Sequence, residues 1–158
     1  MSLQTAEVRR LFGEFTYTPG KKWGSILPDP KWVKANIVTV VNKWGLLTPG
    51  RKLASIRCHR LIAAKITAVF DDLAGQGLLG LIGTYDGCYV PRHTNWDPHK
   101  RLSRHSWGIA VDTSAGRFPY GVKGRQPEKV ISAFTAHGFE YGGNWRTPDP
   151  MHWECINL

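Results

Sequence analysis

The sequence predicts an α+β domain: a small antiparallel sheet flanked by helices. Three observations point there. Residues 56–74 repeat apolar side chains at close to a 3.6-residue period, as an amphipathic helix does. Short apolar or β-branched segments recur between turn residues instead of alternating regularly with helices. The chain has 158 residues, 42% of them hydrophobic, which suits a single packed core.

Each element can be read in order. The opening segment MSLQTAEVRRLFGEF reads as a short helix. Residues 17–31 (YTPGKKWGSILPDPK) hold three prolines and two glycines and read as an irregular arm. Ile37 to Val41 (IVTVV) is apolar and β-branched, consistent with a buried strand or a short helix. Thr48-Pro49-Gly50 is a turn. Residues 1–50 are expected to belong to the same unit as residues 51–158. The helix over 56–74 carries Ile56, Leu61, Ile62, Ile66, Val69, Phe70 and Leu73, with Gly75 and Gly77 as its stop. Leu78 to Tyr85 reads as a buried strand, and residues 93–104 as a polar loop. His105 to Thr113 reads as a strand interrupted at Trp107-Gly108. Pro127 opens a helix that runs to about His137, where Gly138 ends it. Phe139 to Tyr141 and Met151 to Ile156 read as strands on either side of a turn at Gly142-Gly143.

Bulk composition narrows the function. No stretch approaches the ~20 apolar residues of a membrane-spanning helix. The first residues lack the apolar core of a secretory signal, so a cytoplasmic location after synthesis is expected. Cys58, Cys88 and Cys155 are odd in number and lack CxxC spacing, so three free, buried thiols are expected. The net charge is +9, from 21 Lys+Arg against 12 Asp+Glu. That favours polyanionic partners, whether nucleic acid, an anionic membrane surface or an anionic cell wall, and charge alone does not choose among them. The basic residues are scattered, with no run of five or more, so a nucleic-acid partner is not expected.

The chemistry concentrates in two segments. One is Ser103-Arg-His105-Ser-Trp-Gly108-Ile-Ala110-Val-Asp112, the other Asp149-Pro-Met-His152-Trp-Glu154. Two imidazoles plus one carboxylate form a common ligand set for catalytic zinc. His59, His93, His99 and His137 sit in helix or loop contexts that give them no such role. The spacing makes one demand. His105 and Asp112 are seven residues apart, so a regular strand would point them to opposite faces. The chain must break between them, and Gly108 is the place for it.

The string SRHSWGIAVD resembles the Ser-x-His-x-x-Gly-x-Ala-x-Asp signature of the M15 peptidases. These are D-alanyl-D-alanine carboxypeptidases and dipeptidases, and L-alanyl-D-glutamate endopeptidases of phage endolysins. DPMHWE resembles the family's second motif, an acid three residues before a histidine. The resemblance covers about residues 55–158 and implies a hedgehog/DD-peptidase-like fold. It implies that His105, Asp112 and His152 bind zinc. It implies that Asp149 is the general base, and that Arg92 polarises the scissile carbonyl. Ser103 would contact substrate. Glu154 and Glu140 are the rival bases.

The expected function is therefore a zinc peptidase acting on the stem peptide of peptidoglycan, of the L-alanyl-D-glutamate endopeptidase type. Such an enzyme would be a monomer, held in the cytoplasm until released to the wall, with its basic surface meeting the anionic wall. A D-Ala-D-Ala carboxypeptidase or dipeptidase is the alternative within the class. A zinc-containing binding module without turnover is the alternative outside it.

Overall fold

The site rests on a four-stranded antiparallel sheet in the second half of the chain. The computed structural model describes residues 2–158. Four α-helices occur among them: α1 (Thr5–Phe12), α2 (Pro30–Asn36), α3 (Ala63–Gly75) and α4 (Glu128–Ala136). In the first half, β1 (Tyr17–Pro19) pairs with β2 (Ile26–Pro28), and β3 (Ile37–Val41) with β6 (Ser55–His59). Between those two strands, β4 (Leu47–Thr48) and β5 (Arg51–Lys52) form a small hairpin. The main sheet has the order β7 (Tyr85–Gly87), β8 (Ala110–Thr113), β10 (His152–Cys155), β9 (Phe139–Tyr141). The structure is thus a mixed one of helices and small antiparallel sheets.

The main sheet has a helix side and a site side. Successive residues of a strand point to opposite faces. On β10, Trp153 faces α4, where its ring stacks on Phe134 with centroids 4.2 Å apart, and Tyr141 of β9 adds a second stack at 4.7 Å. Phe134 meets Phe70 of α3 edge to face, so the two helices share one core. Burying Trp153, Phe134, Phe70 and Val111 contributes about 1.5–3 kcal/mol for each side chain. His152 and Glu154 then point to the other face.

Several elements differ from the sequence reading. Residues 56–62 are not helix. Ser55–His59 is a strand paired residue by residue with Ile37–Val41, and a 3-10 turn follows at Arg60–Ile62. Ile56 and Cys58 point inward while Arg57 is exposed, a period of two. A strand running straight into a helix mimics a longer helical stripe. Gly77, at φ 69°, does close α3: the Leu78 amide donates to the Leu73 carbonyl. Leu79–Ile82 is a 3-10 turn, leaving a strand only at Tyr85–Gly87. The arm expected at 17–31 holds a hairpin, Tyr17–Pro19 paired with Ile26–Pro28, and the start of the unexpected helix α2. Asp29 caps α2 by accepting from the Lys31 amide, with Pro30 in the first turn. The strand expected to begin at His105 begins at Ala110. The three cysteines are free and buried, as expected.

The N-terminal segment packs on the site-bearing half. Trp107 Nε1 donates to the Gly13 carbonyl at 2.9 Å, and Arg104 donates to the Leu3 carbonyl. The hairpin touches the loop that carries Arg92 through a bridge between Ser25 and Arg92.

Candidate metal centre and cleft

Strand register creates the cluster. On β8 and β10, His152 lies directly opposite Asp112, and cross-strand partners share a face. His105 arrives from a 3-10 turn, Arg104–Ser106, capped by Ser103, whose Oγ accepts from the His105 amide. Trp107 and Gly108 then turn the chain into β8. Gly108 has φ 66°, and a Cβ there would stand 3.0 Å from the His59 nitrogen. The expected break near Gly108 is therefore present.

Donor atoms of three side chains converge. His105 Nε2 lies 3.3 Å from His152 Nδ1 and 3.1 Å from Asp112 Oδ2. His152 Nδ1 lies 2.9 Å from Asp112 Oδ1. Ligands at zinc bond lengths in a tetrahedron are spaced by roughly 3.3 Å, and the contacts among these three side chains, 2.9 to 3.3 Å, are of that size. All three residues are buried, and they form the group identified among the described residues as able to hold a metal ion.

The surroundings fix which atoms face inward. His105 Nδ1 lies 2.9 Å from the Cys88 carbonyl, so that nitrogen carries the proton and Nε2 presents its lone pair. His152 Nε2 lies 3.6 Å from Glu154 Oε2, which leaves Nδ1 for the cluster. Glu154 is itself held by Arg104 (Nε to Oε1, 3.3 Å), a buried ion pair. Burial lowers the His105 pKa. Burial also opposes charge on His152, but Asp112 and Glu154 push it up to about 10. Burial likewise opposes charge on Asp112, yet the two imidazoles hold its carboxyl far below the ordinary range. Asp112 and Glu154 thus place negative charge beside the imidazoles, which suits a bound cation. Donor set, spacing and charge all fit zinc.

A cleft of about 360 Å³ opens beside His152. Asp149 lines it, and its Oδ1 is buried without a hydrogen-bond partner. Burial pushes the Asp149 carboxyl up to about 6. Arg92 also lines the cleft. Its Nη1 donates to the Val90 carbonyl, its Nη2 stands 3.7 Å from Asp112 Oδ2, and its guanidinium lies over the Trp96 ring. Ser103 is at the cleft wall. Of the rival acids, Glu154 reaches the cleft but is engaged by Arg104, while Glu140 sits on β9 and accepts from Ser2. His59, His93, His99 and His137 lie outside the cluster.

Sequence reasoning missed three supports. Ser106 Oγ donates to the Arg92 carbonyl and accepts from the Arg92 amide, tying that loop to the His105 turn. The Cys88 carbonyl orients His105, and a backbone atom leaves no sequence signal. Trp145 packs against His152 with ring centroids 5.3 Å apart. Its place beside the Gly142-Gly143 turn was the available cue.

A buried triad of two histidines and one aspartate beside an open cleft defines a candidate metallohydrolase centre. Residues 97–155 match the model of an M15 peptidase family described as D-alanyl-D-alanine carboxypeptidase. The match takes in His105, Asp112, Asp149 and His152 and supports an M15 family peptidase, as the two motifs implied. No curated protein and no solved structure matches the chain.

Proposed function

We propose that this chain is a zinc-dependent peptidase that hydrolyses a bond of the peptidoglycan stem peptide, of the L-alanyl-D-glutamate endopeptidase type. The observation that carries the reading is the His105–Asp112–His152 triangle, with the orphaned Asp149 oxygen in the adjoining cleft. His105, Asp112 and His152 would hold the ion. When bound, zinc supplies the Lewis acidity that makes water nucleophilic near neutral pH.

The remaining work falls to this chain's residues. Asp149 takes a proton from the attacking water and returns it to the leaving amine. Its unpaired oxygen and its carboxyl near 6 suit that exchange, since a base works best with a pKa near the working pH. Arg92 donates to the carbonyl oxygen as negative charge develops there. Its anchorage to Val90 and Trp96 aims the guanidinium without reorganisation during the reaction. Glu154 orients His152 and is itself held by Arg104, which favours Asp149 as the base. Ser103 caps the turn that presents His105 and contacts substrate at the cleft wall. The chain acts as a monomer on the anionic wall, to which its +9 charge draws it.

Digestion of purified peptidoglycan by the zinc-loaded protein, with mass spectrometry of the fragments, tests this. New amino termini at glutamate are expected. New carboxyl termini at the distal D-alanine pair would move the activity to the carboxypeptidase type. Intact stem peptides would overturn the proposal.

A further inference from the structure

Four arginines line the cleft, Arg92, Arg101, Arg104 and Arg146, whereas its acidic residues are Asp149 and Glu154. Two of the four are committed within the protein. Arg104 is buried against Glu154, and Arg92 is anchored to Val90 beside Asp112. Arg101 and Arg146 are not. Both are exposed, and neither makes an ion pair among the described residues.

Their placement is specific. Arg101 lies four residues before His105, on the loop that ends in Ser103. Arg146 follows Trp145, whose ring packs on His152. Two separate loops thus bring an uncompensated cation to one cleft. A guanidinium is a planar fork matched to a carboxylate, and two such forks lining one cleft make a receptor for one.

We propose that Arg101 and Arg146 form a carboxylate clamp, so that the cleft selects peptides bearing a free carboxylate on the residue that flanks the scissile bond. The clamp rests on the stem-peptide reading above: a glutamyl residue beside that bond supplies the acid. Arg101 and Arg146 are specificity residues that hold substrate and leave the chemical step to the groups around the triangle.

Two synthetic stem peptides test this, identical except that the carboxyl of the second residue is free in one and a carboxamide in the other. Each is mixed with zinc-loaded wild type, Arg101→Gln, Arg146→Gln and the double variant. Tryptophan fluorescence is read in the first milliseconds for binding, and the mixture is then followed for cleavage. Wild type is expected to bind the acid about tenfold or more tightly than the amide. The double variant should bind both equally, at the wild-type affinity for the amide. Both residues are exposed, so retained zinc and circular dichroism suffice to confirm folding. Equal wild-type binding of the two peptides would overturn the clamp even if both are cleaved. A preference that survives in the double variant would overturn it too. Selective binding without any cleavage would support the clamp and sink the peptidase reading instead.

Discussion

His105 Nε2 and Asp112 Oδ2 stand 3.1 Å apart although seven residues separate them in sequence. In an unbroken strand they would face opposite ways. The 3-10 turn at Arg104–Ser106 and the left-handed Gly108 reverse that parity. The Gly108 carbonyl also accepts from the His59 amide at 2.9 Å, which joins the turn to the strand Ser55–His59. The site thus depends on one backbone position that no side chain suits.

Gly108→Ala should therefore harm both stability and metal binding. Alanine at φ 66° is strained, and its Cβ would press on the His59 backbone. A loss of about 2 kcal/mol is expected, lowering Tm by about 4–8 °C. Thermal unfolding and zinc titration of the same sample check both effects. A variant with wild-type Tm and zinc affinity would show that the turn does not set the ligand geometry.

Asp149→Asn should keep the fold and the zinc while lowering kcat about 100-fold or more. Glu154→Gln should act differently. It removes one charge from a buried pair with Arg104 and loosens His152, so zinc affinity should fall roughly 10- to 100-fold, and activity with it. Side-by-side metal analysis and kinetics separate the two. An active Asp149→Asn protein beside an inactive, zinc-replete Glu154→Gln would exchange their roles.

His59 gives the protein a pH-dependent stability away from the site. It is fully buried, its Nε2 lies 3.1 Å from the Phe12 carbonyl, and its Nδ1 accepts from the Leu61 amide. One nitrogen must donate and the other accept, so only the neutral ring fits. Burial lowers its pKa from 6.5 to about 4. As pH falls, the unfolded chain takes up the proton first. The contribution is complete above pH 6.5 and is lost as pH falls toward 4, a change of about 3 kcal/mol at most. Denaturant unfolding between pH 7.5 and 4.5 should show it, and His59→Asn, which keeps the acceptor toward Leu61, should flatten this part of the profile. An unchanged slope in the variant would assign the dependence to other groups.

Much of the site was legible because its chemistry lies in side chains at fixed spacing. The two motifs named His105, Asp112 and His152, and the odd interval between the first two predicted the break at Gly108. The longer-range parts were not legible. The pairing of Ile37–Val41 with Ser55–His59 hides the second strand inside a helix-like stripe, because its inward residues run in phase with those of α3. Tertiary pairing overrides such local periodicity. His59 ends that strand and is buried, where the helix-like stripe would place it in a helix. The hairpin at Tyr17–Pro28 depends on cross-strand hydrogen bonds in a proline-rich segment that looks irregular residue by residue. The Arg104–Glu154 pair joins residues 50 apart, a distance that no local pattern reports.

The most direct measurement is stem-peptide hydrolysis by chelator-stripped protein as zinc is added back. Activity should be absent at the start, rise linearly with zinc, and level off at one ion per chain. His105→Ala, Asp112→Ala and His152→Ala should not respond. Full activity in the stripped protein, or in any of those three variants without metal, would contradict the account.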